Sequence, residues 1–364
     1  MESIKDQQVY FGDEEGSGGL RQLLRDRKVR RVLLVSGKKS FETSGASAWL
    51  LPLLSDIEVV RYRDFQENPD LADLQTALVG YKKTPFDLII AIGGGSVLDM
   101  AKLIGFFGAS GLNPDSYLNQ KTEVEFQKQF LVAIPTTAGT GSEATHFAVL
   151  YRDKVKYSVA DRRILPDVAI INPNLSSAMP SYLTACTGMD ALAQAIESHW
   201  AVGATKESKE YAEKAIQLAL EHLELAVNHP DEKSRSGMAK AAYWAGRAIN
   251  ISKTTLCHAL SYPLSAHYNY PHGHAVSLFL PTVISEHIRR GAVSERLFEL
   301  FNGKDPSLFI RDICALIGLE ACTSFKHSQV KRVVSEINLE RLGNNPIQFT
   351  VPELTRIVSD SLML

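Results

Sequence analysis

The stretch FDLIIAIGGGSVLDMAKLIGFF, Phe86–Phe107, decides the fold. Leu88–Ile92 is a continuous apolar run of the kind found in strands covered on both faces. Gly93-Gly94-Gly95-Ser96 follows at once, and VLDMAKLIGFF continues as a helix. Three glycines let backbone N–H groups approach a phosphate closely, and a helix N-terminus adds partial positive charge. A tight strand-to-helix turn that holds no ligand is the other reading of the same residues.

Similar runs flank this one: RRVLLVSGKKS and IEVVRYRD before it, FLVAIPTT and VAIINPN after it. The segments between them are long enough for crossover helices, so residues 1–176 are expected to form an α/β, doubly wound parallel sheet of Rossmann type. A second polar turn, Pro135–Glu143, follows the FLVAIP strand with Thr136, Thr137 and Ser142 as hydroxyl donors. Two such loops at strand C-terminal ends define a crevice where ligands of open α/β sheets bind. No Gly-Lys-Ser/Thr follows either loop, which argues against a nucleotide triphosphatase.

Beyond residue 177 amphipathic helical patterns replace strands, among them SKEYAEKAIQLALEHLELAVN, KSRSGMAKAAYWAGRAIN and SLFIRDICALIGLE. Residues 177–364 are expected to be all helical, joined through NPNLSSAMPSY, with Ser181 as a helix N-cap. In this half GMDALAQAIESHW places Asp190 and Gln194 one turn apart on one helix face. CHALSYPLSAHYNYPHGHA carries His258 and His272, and Pro263 and Pro271 are expected to break it so that the histidines fold back. Imidazole and carboxylate suit Zn(II) and Fe(II), and the Gln194 carbonyl is the weak fourth donor. Histidines that only make core hydrogen bonds are the alternative.

The chain has 364 residues, 45% hydrophobic and 22% charged, with a formal charge of −2. That is enough for two cores, and it gives no electrostatic case for nucleic acid; RDRKVRR, Arg25–Arg31, reads as a solvated helix-to-strand junction. The N-terminal residues show no signal-peptide pattern and no long apolar run suggests a membrane span, so a cytoplasmic protein is expected. Cys186, Cys257, Cys314 and Cys322 are scattered without CxxC pairing, as reduced buried residues are.

GGGSVLDMAK, IPTTAGTGSEAT, KYSVADRRILPDVAIINP, GMDAL and CHALSYPLSAHYNYPHGHA, in this order, resemble the iron-containing (group III) alcohol dehydrogenases over nearly the whole chain. The resemblance implies a dinucleotide-binding domain, a helical domain, and NAD(P)-dependent interconversion of an aldehyde and an alcohol at a metal between them. It implies Gly93, Gly94, Gly95 and Ser96 as the pyrophosphate loop, with Asp99 and Lys102 on the helix it opens. Gly37, Thr136, Thr137, Ser142 and Lys156 are implied as further cofactor positions, and Asp190, position 194, His258 and His272 as ligands of Fe(II), with Zn(II) as alternative. A homodimer is implied as well.

Three departures from the family pattern stand out. Gln194 replaces a ligand histidine. Tyr262 replaces a histidine near the substrate, where its phenol could donate a hydrogen bond or relay a proton. Ser36-Gly37-Lys38-Lys39 replaces the Asp of NAD-preferring members, which favours NADP(H) with NAD(H) as alternative. The DALAQAIES and SKTTLCHALSYPLS stretches look most like the phosphonoacetaldehyde reductase branch. An anionic aldehyde needs cations or hydroxyls beside the metal, and Lys253, Thr254 and Thr255 are the nearest in sequence, with Arg162 and Arg163 as weaker candidates. A dehydroquinate-synthase-like lyase and a degenerate nucleotide-binding homologue are the readings from other classes.

Overall fold

The computed structural model describes residues 7–83, 85–153, 155–320, 325–337 and 339–363. The chain divides into two units, Met1–Thr137 with Gly141–Met179, and Ala138–Thr140 with Pro180–Leu364.

The apolar runs form the middle of a six-stranded, all-parallel sheet. Its strands are β1 (Gln8–Phe11), β2 (Arg31–Ser36), β3 (Glu58–Tyr62), β4 (Leu88–Gly93), β5 (Leu131–Pro135) and, later in the chain, β8 (Val168–Ile171). Their order in space is β1-β8-β5-β4-β2-β3. Side chains alternate across the sheet, so Leu33, Val35, Ile89, Ala91 and Ala133 pack into one apolar cluster and Val32, Leu34, Ile90, Val132 and Ile170 into another. Burial on both faces explains why β2, β4, β5 and β8 read as unbroken apolar runs.

Three strands were not expected. β1 is a four-residue edge strand with partly exposed side chains, paired with β8 in the register Gln8 to Val168. β6 (Phe147–Arg152) and β7 (Val155–Ala160) form a separate antiparallel ribbon with Asp153 at φ 52 in the turn. Its alternating Val, Tyr and Lys residues bury only one side.

Within the second unit all described elements are helical. Ser181–Trp200, Lys206–Asn228, Glu232–Ser252, Leu256–Tyr268 and His272–Arg289 enclose a core of alanines, leucines and Ile196, Ile216, Phe279 and Ile284. Pro180, not Ser181, occupies the cap position of the first of these; Ser181 is the first helical residue, and the Thr184 N–H closes onto the Pro180 carbonyl. Pro263 does not break its segment either. It sits inside the Leu256–Tyr268 helix, and the chain instead reverses at Asn269, whose φ of 57 is left-handed, and Pro271. Among the described residues no helix is long and apolar enough to cross a membrane.

Candidate active site

β2 leads to β3 on one side, whereas β4 lies on the other, so the sheet reverses direction between β2 and β4. Ligands of doubly wound sheets bind beyond the strand C-termini at such a point. β2 ends there in Ser36, with Gly37 next in the chain, and β4 ends in Gly93. Gly94 caps the Gly95–Ser110 helix in an extended conformation, and its carbonyl accepts the Val97 and Leu98 N–H groups. The N–H groups of Gly95 and Ser96 are thereby left at the helix mouth, where an anion is favoured. A Cβ on Gly93 would stand 2.5 Å from the Val97 side chain, so the tight turn depends on glycine. The Thr136 N–H donates to the Gly93 carbonyl (3.0 Å), which brings the second loop alongside the first; Thr136 is buried and Thr137 half-exposed. The Ser96 hydroxyl accepts the Asn68 N–H (3.1 Å), a contact with the loop after β3 that the sequence did not announce.

Asp99 and Ser142, expected among the cofactor residues, are buried and occupied with each other. The Ser142 hydroxyl donates to Asp99 Oδ1 (2.6 Å), and the Val149 N–H donates to Oδ2 (2.9 Å). Lys102 Nζ donates to Ser142 Oγ, Thr145 Oγ1 and the Phe147 carbonyl (2.9–3.0 Å). These ties hold the loop after β5 against the helix that the glycine loop opens. Burial pushes the Asp99 carboxyl up, with Lys102 opposing, and pulls Lys102 down to about 8. Lys156 lies on β7, half-buried, and its charge also acts on Asp99.

In the second unit three segments converge. Asp190 and Gln194 are one turn apart on Ser181–Trp200; His258 is on Leu256–Tyr268; His272 opens His272–Arg289. Asp190, His258 and His272 can each offer one ligand atom within 4.8 Å of the others. Both histidines turn Nε2 toward Asp190 Oδ1, at 3.3 Å for His258 and 3.8 Å for His272. Ligand atoms about 2.1 Å from a tetrahedral metal stand about 3.4 Å apart, so the two distances to Asp190 are of the size a divalent ion would need. Two imidazoles and one carboxylate are also a donor set suited to Fe(II). Gln194 is 4% exposed, its amide bonds Asp190, and its Oε1 has no hydrogen-bond partner among the described residues. An unpartnered buried oxygen beside a carboxylate is costly unless a cation accepts its lone pair, which makes Gln194 a fitting fourth donor.

Two features that place these ligands escaped the sequence reading. Glu197 is fully buried and accepts from His258 Nδ1, the Thr255 hydroxyl (2.8 Å) and the Thr255 and Cys257 N–H groups (3.2 and 2.6 Å). A carboxylate on Nδ1 holds the ring in the tautomer that leaves Nε2 for a metal. Burial pulls the His258 imidazole down, but Glu197 and Asp190 reverse this and raise it to about 9; Asp190 is held below the usual carboxylate range despite its burial. A divalent cation held by His258 and Asp190 would take the place of that proton. Asp190, Gln194 and Glu197 share one helix face at i, i+4 and i+7, the signal that could have found Glu197. Gly273 is the second feature: a Cβ there would overlap the Cys186 carbonyl and reach 3.0 Å from Asp190 Cβ, so glycine lets His272 approach Asp190.

Tyr262 is half-buried, its ring parallel to His272 with centroids 5.8 Å apart. Lys253 is exposed and has φ 61 and ψ 177, a backbone region nearly confined to glycine that costs about 1–3 kcal/mol. Asn344 Nδ2 bridges the carbonyls on either side of it, Ser252 (2.7 Å) and Thr254 (3.0 Å). Thr254 and Thr255 are buried, and the Thr255 hydroxyl is spent on Glu197, which removes it from the expected anion-binding group. Arg163 is bound to Asp161 and the Val124 carbonyl. His267 pairs with Glu336, and His274 lies between Tyr182 and the Glu320 carbonyl. Cys186, Cys257 and Cys314 are free and buried, with thiols raised by burial; Cys322 lies outside the described residues.

Residues 7–173 match the family model for iron-containing alcohol dehydrogenase, and residues 184–336 match that for the C-terminal part of the Fe-containing alcohol dehydrogenase family. The NAD-dependent methanol dehydrogenase of Bacillus methanolicus is 35% identical over 315 residues, 81% of this chain and 82% of that protein. The NADPH-dependent butanol dehydrogenase of Clostridium saccharobutylicum is 34% identical over 282 residues, 76% and 71% of the two chains. The crystal structure of sulfoacetaldehyde reductase from Bifidobacterium kashiwanohense in complex with NAD+ superimposes with a TM-score of 0.89 at 27% identity, over 98% of this chain and 97% of that one. Ligand cluster, glycine loop and sequence matches agree, and the chain belongs to the iron-containing alcohol dehydrogenase family, enzymes of aldehyde and alcohol oxidoreduction.

Proposed function

We propose that this protein reduces phosphonoacetaldehyde to 2-hydroxyethylphosphonate, with NADPH preferred over NADH and with Fe(II), or alternatively Zn(II), held by Asp190, Gln194, His258 and His272. The observation that carries the redox reading is the convergence of Asp190, His258 and His272 on one point. The substrate reading rests on the sequence resemblance and on the likeness to sulfoacetaldehyde reductase, whose named substrate is likewise an acetaldehyde bearing a tetrahedral anion.

When bound, the metal supplies Lewis acidity toward the aldehyde oxygen, and the reduced nicotinamide supplies the hydride. The chain's own residues do the rest. Glu197 keeps the Nδ1 proton on His258, and Tyr262 lies flat against His272. The Tyr262 phenol is the side chain we assign to deliver a proton, directly or through water, to the oxygen that becomes the alcohol. The Lys253 ammonium, displayed on a strained turn five residues before His258, is assigned to the phosphonate.

The test follows NADPH and NADH consumption with phosphonoacetaldehyde, sulfoacetaldehyde, propionaldehyde and glycolaldehyde, on protein reconstituted with Fe(II), Zn(II) or chelator. A preference for phosphonoacetaldehyde that Lys253→Ala removes supports the reading. Equal rates on uncharged aldehydes reduce it to a general aldehyde reductase, and preference for the sulfonate moves the substrate. No turnover with any metal rejects reductase activity altogether.

A further inference from the structure

The glycine loop at the end of β4 is the place for a dinucleotide's pyrophosphate, and the switch point puts the adenosine ribose beyond the end of β2. No carboxylate ends that strand: it finishes Ser36-Gly37-Lys38-Lys39, with Ser36 fully buried and both lysines exposed. The structure brings a third cation there from the neighbouring strand. Arg61 stands opposite Leu34 in the β2–β3 register. Its Nε donates to the Ser36 hydroxyl (2.7 Å), its Nη2 donates to the Gly37 carbonyl (3.0 Å), and its guanidinium carbon lies 4.2 Å from the centre of the Phe41 ring. Two hydrogen bonds and a ring face thus fix the plane of the fork, and its side chain is 23% exposed.

Among the described residues, the remaining nitrogen, Nη1, meets only the 59% exposed carboxylate of Glu42, at 3.4 Å. Such a long, solvated pair is weak and yields to a better anion. A ribose 2′-phosphate brings two negative charges and several acceptor oxygens to a guanidinium already oriented, so little side-chain entropy is lost on binding.

We infer that Arg61, more than Lys38 or Lys39, selects NADP(H) over NAD(H), by binding the 2′-phosphate through Nη1 while Ser36 and Gly37 hold its other edge. This deepens the cofactor preference proposed above and rests on it. Lys38 and Lys39 add long-range attraction without fixed geometry.

Calorimetric titration of the purified protein with 2′,5′-ADP and with 5′-AMP tests this without metal or turnover. The wild type binds 2′,5′-ADP more tightly. Arg61→Leu lowers that affinity about 10- to 100-fold and leaves 5′-AMP binding within about 2-fold, the scale of a charge-assisted hydrogen bond. Arg61→Lys, which keeps charge but not the fork, recovers only part of it; Glu42→Gln, which removes the competitor, tightens 2′,5′-ADP. Lys38→Ala and Lys39→Ala each cost about 5-fold or less. If the wild type favours NADPH but both Arg61 variants bind 2′,5′-ADP normally, the assignment to Arg61 is overturned and the cofactor preference stands. If the wild type binds 5′-AMP as tightly as 2′,5′-ADP, the preference for NADPH falls, and Arg61 with it.

Discussion

Around Gly93 the protein offers backbone, and around Asp190 it offers side chains. The first site is made of consecutive residues at a strand end, where the glycine turn leaves the Gly95 and Ser96 N–H groups at the helix mouth. The second joins residues from three helices, each ligand aimed by a group elsewhere: Glu197 for His258, and the close approach at Gly273 for His272. A backbone site is complete once its loop has formed. A side-chain site is only as good as the packing behind it, so the second should be the more sensitive to changes outside its ligands.

The largest effect should come from Gly273→Ala. The added Cβ would meet backbone, the Cys186 carbonyl carbon at 2.7 Å and its oxygen closer still, and no rotamer relieves that. Overpacking of this kind costs about 3 kcal/mol, and it should separate the His272–Arg289 and Ser181–Trp200 helices enough to abolish metal retention. Gly93→Ala, whose three nearest neighbouring atoms all belong to the Val97 side chain, should leave metal content intact and weaken nucleotide binding. Metal analysis and 5′-AMP titration of both variants decide the matter; a Gly273→Ala protein with full metal content would break the contrast.

Glu197→Gln probes the same contrast more gently. The near-isosteric amide keeps one acceptor oxygen, enough for the Cys257 N–H and the Thr255 hydroxyl that share Oε1 but not for the Thr255 N–H on Oε2, and it removes the charge that orders the His258 proton. Loss of a carboxylate behind a metal-ligating histidine weakens metal binding about 10- to 100-fold. Competition against a chelator measures this. An unchanged metal affinity would make Glu197 a core acceptor and nothing more.

What could be read in advance follows the same division. β2, β4, β5 and β8 were legible because burial on both faces writes an apolar run. β1 was not, since a four-residue edge strand derives its existence from its pairing with β8. Asp190, His258 and His272 stood out as chemistry-bearing types at suggestive spacing, whereas Glu197 in DALAQAIES looks like any helix carboxylate until the i+7 relation to Asp190 is noticed. Arg61 in VVRYRD reads as the polar half of an alternating strand. Its role depends on β3 lying beside β2, which is a fact of topology. Pro263 misled because helix-breaking is a local rule, and the buried face of the Leu256–Tyr268 helix overrides it.

The smallest predicted effect tests whether the backbone site is truly insensitive to what lies behind it. Glu143 is buried in the loop after β5, near Lys102; burial pushes its carboxyl from 4.5 up to about 7, with Lys102 opposing. A carboxyl whose pKa is raised on folding holds its proton more tightly in the folded state. The stability it lends is complete below about pH 4.5 and is lost as pH rises through about 7. Lys102, lowered on folding to about 8, lends stability above its ordinary value of 10.5 that is lost as pH falls through about 8. Between these values both groups are charged and buried, and the unit is least favoured. Glu143→Gln removes one of the two charges. It should stabilise metal-free protein by about 2 kcal/mol near pH 8 and by almost nothing near pH 4.5, read as the difference in unfolding free energy between variant and wild type. A difference that does not change with pH would mean that Glu143 keeps the same protonation folded and unfolded, and that its charge plays no part in the network under the glycine loop.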